Sequence, residues 1–131
     1  MIIKGNKILG GRSVEGEVMV QKEPFSFFGD VNRETGVINV GTNAGKSFKD
    51  KILVFPQSKG STLAPYVASD CKRNGVAPKA ILCQKADGVL AMVAILADIP
   101  TMDSFEVNIL KELRTGDHVR VEPDKGRIEI L

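Results

Sequence analysis

The chain reads as a mixed α/β fold: a mixed sheet or small barrel, with helices on one side and a central βαβ unit. Three observations predict this. Strand-like runs dominate both ends, helix-like runs cluster in the middle, and residues 52–84 have the order and length of strand, helix and second strand. A right-handed parallel crossover is the default for such a unit. With 131 residues, 43% of them hydrophobic, the chain is long enough for one packed core and short for two, so residues 1–131 are expected to form a single domain.

Residues 1–9 read as a strand broken at Gly5-Asn6, a pair that would equally suit a tight hairpin, and Gly10-Gly11 ends it. Residues 15–21 alternate polar and apolar, placing Val18 and Val20 on one face of a half-buried strand. Phe25, Phe27 and Phe28 are half of the six phenylalanines and are expected to anchor the core, with the wall of a pocket as the alternative. Turn formers make residues 28–36 a loop. Within it Asp30 reads as a turn former bonding its own backbone, and a site role is the alternative. Residues 37–40 read as a short strand and 41–51 as a polar loop containing Gly and Lys.

The run Ile52-Leu53-Val54-Phe55 is made of strand formers and stops at Pro56, which cannot donate to a ladder. After a loop over 57–60, Leu63, Val67 and Cys71 recur every fourth residue, which is one helix face; Gly75 and Pro78 stop that helix. Residues 80–84 form the second buried strand. Asp87-Gly88 suits the start of a short apolar helix over 89–97, where helix and strand are hard to separate by pattern. Residues 99–102, interrupted by Pro100, read as an edge segment. Residues 105–113 suit a helix, and 116–121 with 127–131 make a terminal hairpin around 123–126.

The junction at 57–65 carries the chemistry. Pro65 has no N–H, so it fits a helix only where that N–H would have no partner. With Thr62 as N-cap, Pro65 takes the third helical position, and the Ser61 hydroxyl is left free beside unpaired donors at the positive end of a helix dipole. Such a hydroxyl can meet an anion. A Ser-Thr pair before a helix is more often a simple double cap, and Lys59-Gly60-Ser61-Thr62 lacks the Gly-x-x-x-x-Gly-Lys order of a phosphate-binding P-loop.

Composition excludes several functions. A net charge of +2, one tyrosine and no tryptophan leave neither a basic stripe nor stacking aromatics for nucleic acid. The longest apolar run, 89–97, is too short to span a bilayer, and the first residues lack a signal-peptide stretch, so a soluble, cytoplasmic protein is expected. Two cysteines, Cys71 and Cys83, and one histidine, His118, cannot assemble a zinc or iron–sulfur ligand set, so no metal is assigned to this chain.

Five segments, FFGDVNRETG, ILVFPQSKGST, NGVAPKAIL, ADIPTMD and GDHVRV, in this order and spacing, resemble the small subunit of the aconitase X family. The resemblance covers nearly the whole chain. It implies a β/β/α swivelling domain that closes, as a heterodimer, over a large subunit carrying a 4Fe–4S iron–sulfur cluster. It implies a hydro-lyase that dehydrates (R)-5-phosphomevalonate to trans-anhydromevalonate 5-phosphate in an archaeal mevalonate route to isoprenoids. The family's active serine follows a glycine before the central helix; the matching residue is Ser61, as proton acceptor, with Lys59, Gly60 and Thr62 as substrate contacts. Aconitases proper carry an arginine where this chain has Leu63, so the resemblance implies different substrate recognition there. Another hydroxy acid as substrate, or a non-catalytic module binding an anion or a protein through the same loop, are the alternatives.

Overall fold

The computed structural model describes residues 1–131. In chain order the strands are β1 (Ile2–Lys4), β2 (Asn6–Leu9), β3 (Val14–Val20), β4 (Ile52–Gln57), β5 (Ala80–Lys85), β6 (Thr101–Asp103), β7 (His118–Glu122) and β8 (Arg127–Ile130). The helices are α1 (Phe27–Asp30, one irregular turn), α2 (Ala64–Arg73), α3 (Gly88–Ala97) and α4 (Ile109–Glu112).

Alternation along β4 and β5 builds three layers. Leu53, Phe55, Ile81 and Cys83 join one apolar cluster with α2 and α3, whereas Ile52, Val54, Ala80 and Leu82 join a second with Val119, Val121 and Ile128 of the terminal hairpin. Strands buried on both faces need cover on both sides. The helices supply one cover and the antiparallel half of the sheet supplies the other, giving the expected β/β/α arrangement.

The strand order is β1-β8-β7-β3-β4-β5-β6-β2. The β3–β4, β4–β5 and β5–β6 pairs are parallel, and the other four are antiparallel. Strand β3 turns the corner between the halves: Val14 to Glu17 pair with β7, while Val18 to Val20 pair with β4. The two outer strands, β1 and β2, are neighbours in the chain separated only by Gly5, whose N–H donates to the Gly126 carbonyl at 3.0 Å. The sheet therefore returns to its own starting point, and the mixed sheet and the small barrel are one object.

Several local expectations are corrected. Residues 1–9 form no hairpin: β1 pairs with β8 and β2 with β6. Residues 37–40 make isolated bridges, Val31 with Ile38 and Val37 with Ser47, rather than a strand; buried Ile38, Asn43 and Phe48 pin this stretch instead. The 99–102 segment is not an edge, because β6 lies between β5 and β2. Pro100 precedes the strand, and its carbonyl accepts from the Ile81 N–H at 2.9 Å. Only Ile109–Glu112 of the 105–113 stretch is helical, capped by Asn108 accepting from the Leu110 N–H at 3.0 Å. Phe25 and Phe27 are buried, but Phe28 is 45% exposed and anchors nothing. The expected helix over 89–97 is present, with the Asp87 carboxylate accepting from the Leu90 N–H at 2.9 Å.

Candidate functional site

Strand β4 ends at Gln57, and the chain crosses the carboxyl ends of the parallel strands before entering α2, the place where open α/β sheets bind ligands. Two consecutive residues of this crossing are left-handed, Gly60 at φ +80° and Ser61 at φ +75°. Glycine adopts this freely, whereas a left-handed residue with a Cβ costs about 1–2 kcal/mol. The Ser61 carbonyl then accepts from the Ala64 N–H at 3.1 Å and its hydroxyl oxygen from the Leu63 N–H at 3.3 Å. The N–H groups of Ser61 and Thr62 have no partner within the chain, and both residues are exposed.

This corrects the reading of the helix start. Leu63, not Thr62, occupies the N-cap position, no side chain caps α2, and Pro65 is its second residue. Second and third positions both leave an N–H without a helical partner, so proline alone could not distinguish them. The turn set by Gly60 and Ser61 moves the start by one residue.

A strap from residues 25–30 holds the crossing. The Phe25 N–H donates to the Gln57 carbonyl at 3.0 Å and the Lys59 N–H to the Phe25 carbonyl at 3.1 Å. The Ser26 hydroxyl donates to the Gly60 carbonyl at 2.9 Å while accepting from the Phe28 N–H at 3.1 Å. Asp30 Oδ2 accepts from the Ser26 N–H at 3.0 Å and pairs with Lys59 Nζ at 2.8 Å. Beneath, Phe25 packs on Phe27 and Phe55, with ring centres 5.4 Å apart in each pair. So Lys59, Gly60, Ser61 and Thr62 are contiguous as expected, and two further residues, Asp30 and Ser26, join them. Asp30 is more than a turn former, because its partner lies in another segment. Nothing in local spacing announces that pairing.

Beside Thr62, a groove of about 430 Å³ runs between α2 and α3, with Asp87 at its polar end and Pro65, Tyr66, Val89 and Met92 along it. Two further depressions lie elsewhere, one of about 460 Å³ by Arg12, Lys72 and Lys79 at the opposite end of α2 and one of about 430 Å³ by Lys22, Thr42 and Arg114. Burial pushes the Cys71 thiol up to about 11 and the Cys83 thiol up to about 12. Both are therefore protonated near neutrality, and no three His, Cys, Asp or Glu side chains gather as metal ligands. These residues do not fit an iron–sulfur cluster, which needs thiolates. His118 is exposed at the start of β7, remote in sequence and sheet position from the loop.

A family model described as the aconitase X swivel domain matches residues 2–130. The chain belongs to the aconitase X swivel-domain family. The phosphomevalonate dehydratase small subunit of Thermococcus kodakarensis is 46% identical to this swivel domain, over 100% of this chain and 97% of that protein. The protein of the same name from Methanosarcina acetivorans is 40% identical, over 98% and 90% respectively. Among solved structures, the holo-form crystal structure of Thermococcus kodakaraensis aconitase X superposes with a TM-score of 0.93 at 44% identity, covering 100% of this chain and 98% of that one. A solution NMR structure gives 0.92 at 37% identity, covering 100% and 99%. The swivel domain thus matches its relatives almost end to end.

Proposed function

We propose that this chain is the small, swivelling subunit of a two-subunit hydro-lyase, and that it brings Ser61 as proton acceptor to the dehydration of (R)-5-phosphomevalonate to trans-anhydromevalonate 5-phosphate. The observation that carries this reading is Ser61 itself, exposed on a left-handed turn beside unpaired N–H groups at the start of α2. The relatives' shared name, phosphomevalonate dehydratase small subunit, supports the phosphomevalonate substrate and the assignment of a larger partner.

Elimination of water from a β-hydroxy acid removes a proton next to the carboxylate and a hydroxyl one carbon further on. A serine hydroxyl is a weak acid, so Ser61 accepts the proton only if its alkoxide is stabilised by fixed donors and cations in a site closed to water. The unpaired N–H groups, the positive end of α2 and the Lys59 ammonium are such groups, with Gly60 and Thr62 contacting substrate. Closing the lid excludes water and brings the loop to the substrate. The departing hydroxyl needs a Lewis acid; we assign it to the large subunit, where a 4Fe–4S cluster is expected. No helix here is long and apolar enough to cross a membrane, and we assign the complex to the cytoplasm.

The test is reconstitution with the large subunit. The isolated chain should be colourless and inactive. Ser61→Ala should lower turnover of the complex by about 10²-fold or more while assembly survives. Near-normal turnover would sink the assignment.

A further inference from the structure

We infer that Asp30 is a positioning residue that acts through Lys59; this rests on the proposed role of the 59–62 loop and names what orients its cation. Lys59 is the one cation in the loop, its side chain is 46% exposed, and it leads directly into Gly60 and Ser61. Left to itself a lysine side chain samples many rotamers, which is a poor way to present a charge to a reacting atom. Here it does not swing free. Its ammonium is fixed at 2.8 Å on Asp30, whose side chain is only 12% exposed.

Asp30 is itself immobilised, because the same oxygen accepts the Ser26 N–H at 3.0 Å. The Ser26 hydroxyl in turn holds the Gly60 carbonyl at 2.9 Å, the last carbonyl before Ser61. One carboxylate therefore links the side chain of Lys59 and, through Ser26, the backbone of the left-handed pair. The Lys59 N–H to Phe25 carbonyl bond, 3.1 Å, ties the same two segments from the backbone side, so the strap and the loop move together. A carboxylate placed only to stabilise a turn would need neither the cation nor the loop.

The experiment is a double-mutant cycle in the reconstituted complex, with Asp30→Asn, Lys59→Met and the pair. Asn keeps an oxygen for the Ser26 N–H and removes the ionic hold on Lys59. Asp30→Asn is expected to lower kcat by up to about 10²-fold, the scale of a misplaced catalytic group, at near-constant melting temperature. In the Lys59→Met background the same change should have no further effect, because the residue it acts through is gone. Asp30→Glu, which keeps the charge, should recover part of the loss. Equal losses in both backgrounds, or a loss that follows melting temperature, would overturn the inference. So would normal turnover of Lys59→Met, a readout that stands even if Asp30→Asn does not fold. Failure of the Ser61 assignment is read separately from Ser61→Ala, so the two outcomes are distinguishable.

Discussion

Ser61 holds a backbone conformation that a non-glycine residue adopts only under constraint, and the constraint comes from outside it. The Gly60 carbonyl is fixed by Ser26, and the Ser61 carbonyl and hydroxyl are both engaged by the turn into α2. Removing its hydroxyl deletes one long contact, so Ser61→Ala should change stability by less than about 1 kcal/mol, although the cost to turnover is large. Thr62 makes no capping bond in this structure. Thr62→Ala should therefore stay within about 0.5 kcal/mol of the parent in a urea titration, not show the loss of about 1 kcal/mol that a true N-cap would give. Pattern around Gly60 and Pro65 alone favours a simple cap and places it on Thr62 with the Ser61 hydroxyl free, whereas that hydroxyl accepts from the Leu63 N–H. The proton-acceptor role of Ser61 comes from the family resemblance, and the Asp30 pairing is not legible because its partner Lys59 lies 29 positions away and no helical or strand period connects them.

At the scale of elements, periodicity worked where burial is local. The runs 52–57 and 80–85 are strands because both faces are apolar, and the spacing of Val67 and Cys71 marks a helix because that face, with Ala64 and Ala68, meets the sheet; Leu63, expected on the same face, precedes the helix and is 49% exposed. Periodicity could not name distant partners. Residues 1–9 are extended and broken at Gly5 as expected, but β1 pairs with 127–129 and β2 with 101–103 and not with each other, and Pro100 lies just before β6, which is no edge. The 41–51 stretch has only one short 3-10 turn, Gly41–Asn43, and one isolated bridge, and its main apolar anchor is Phe48, fully buried and 5.6 Å from Phe27 ring to ring. Phe48→Ala should cost about 3–5 kcal/mol, the usual penalty for emptying an aromatic site in a core. Chemical denaturation measures it; a loss below about 1 kcal/mol would mean the stretch is anchored elsewhere.

For the molecule as a whole, closure of the sheet places charge at the seam. Glu122, at the end of β7, is 4% exposed and pairs with Arg127 at 3.2 Å and Lys125 at 3.4 Å. Burial pushes its carboxyl up, but the two cations more than offset that and hold it below the ordinary 4.5. A carboxyl depressed on folding contributes stability above its unfolded value, and that contribution is lost as pH falls through the folded one. Glu122→Gln should therefore be less stable than the parent at neutral pH, with the gap closing on acidification below about 4.5. Urea midpoints at several pH values read this directly, and a gap independent of pH would refute it.

The helical layer has a built-in stopwatch. Cys71 on α2 and Cys83 on β5 are each 0% exposed in the same apolar cluster, with burial keeping both as thiols. A thiol-labelling reagent therefore has to wait for the layer to part, and its rate measures how often that happens. Lifting of α2 alone uncovers the helix thiol first, whereas unfolding of the whole sheet uncovers both together. Labelling at mildly alkaline pH, followed by mass spectrometry, should thus show single modification at Cys71 preceding double modification if the loop that carries Ser61 opens by swinging the helix it leads into. Simultaneous modification would mean that the loop, the helix and the strand beneath them travel as one rigid piece.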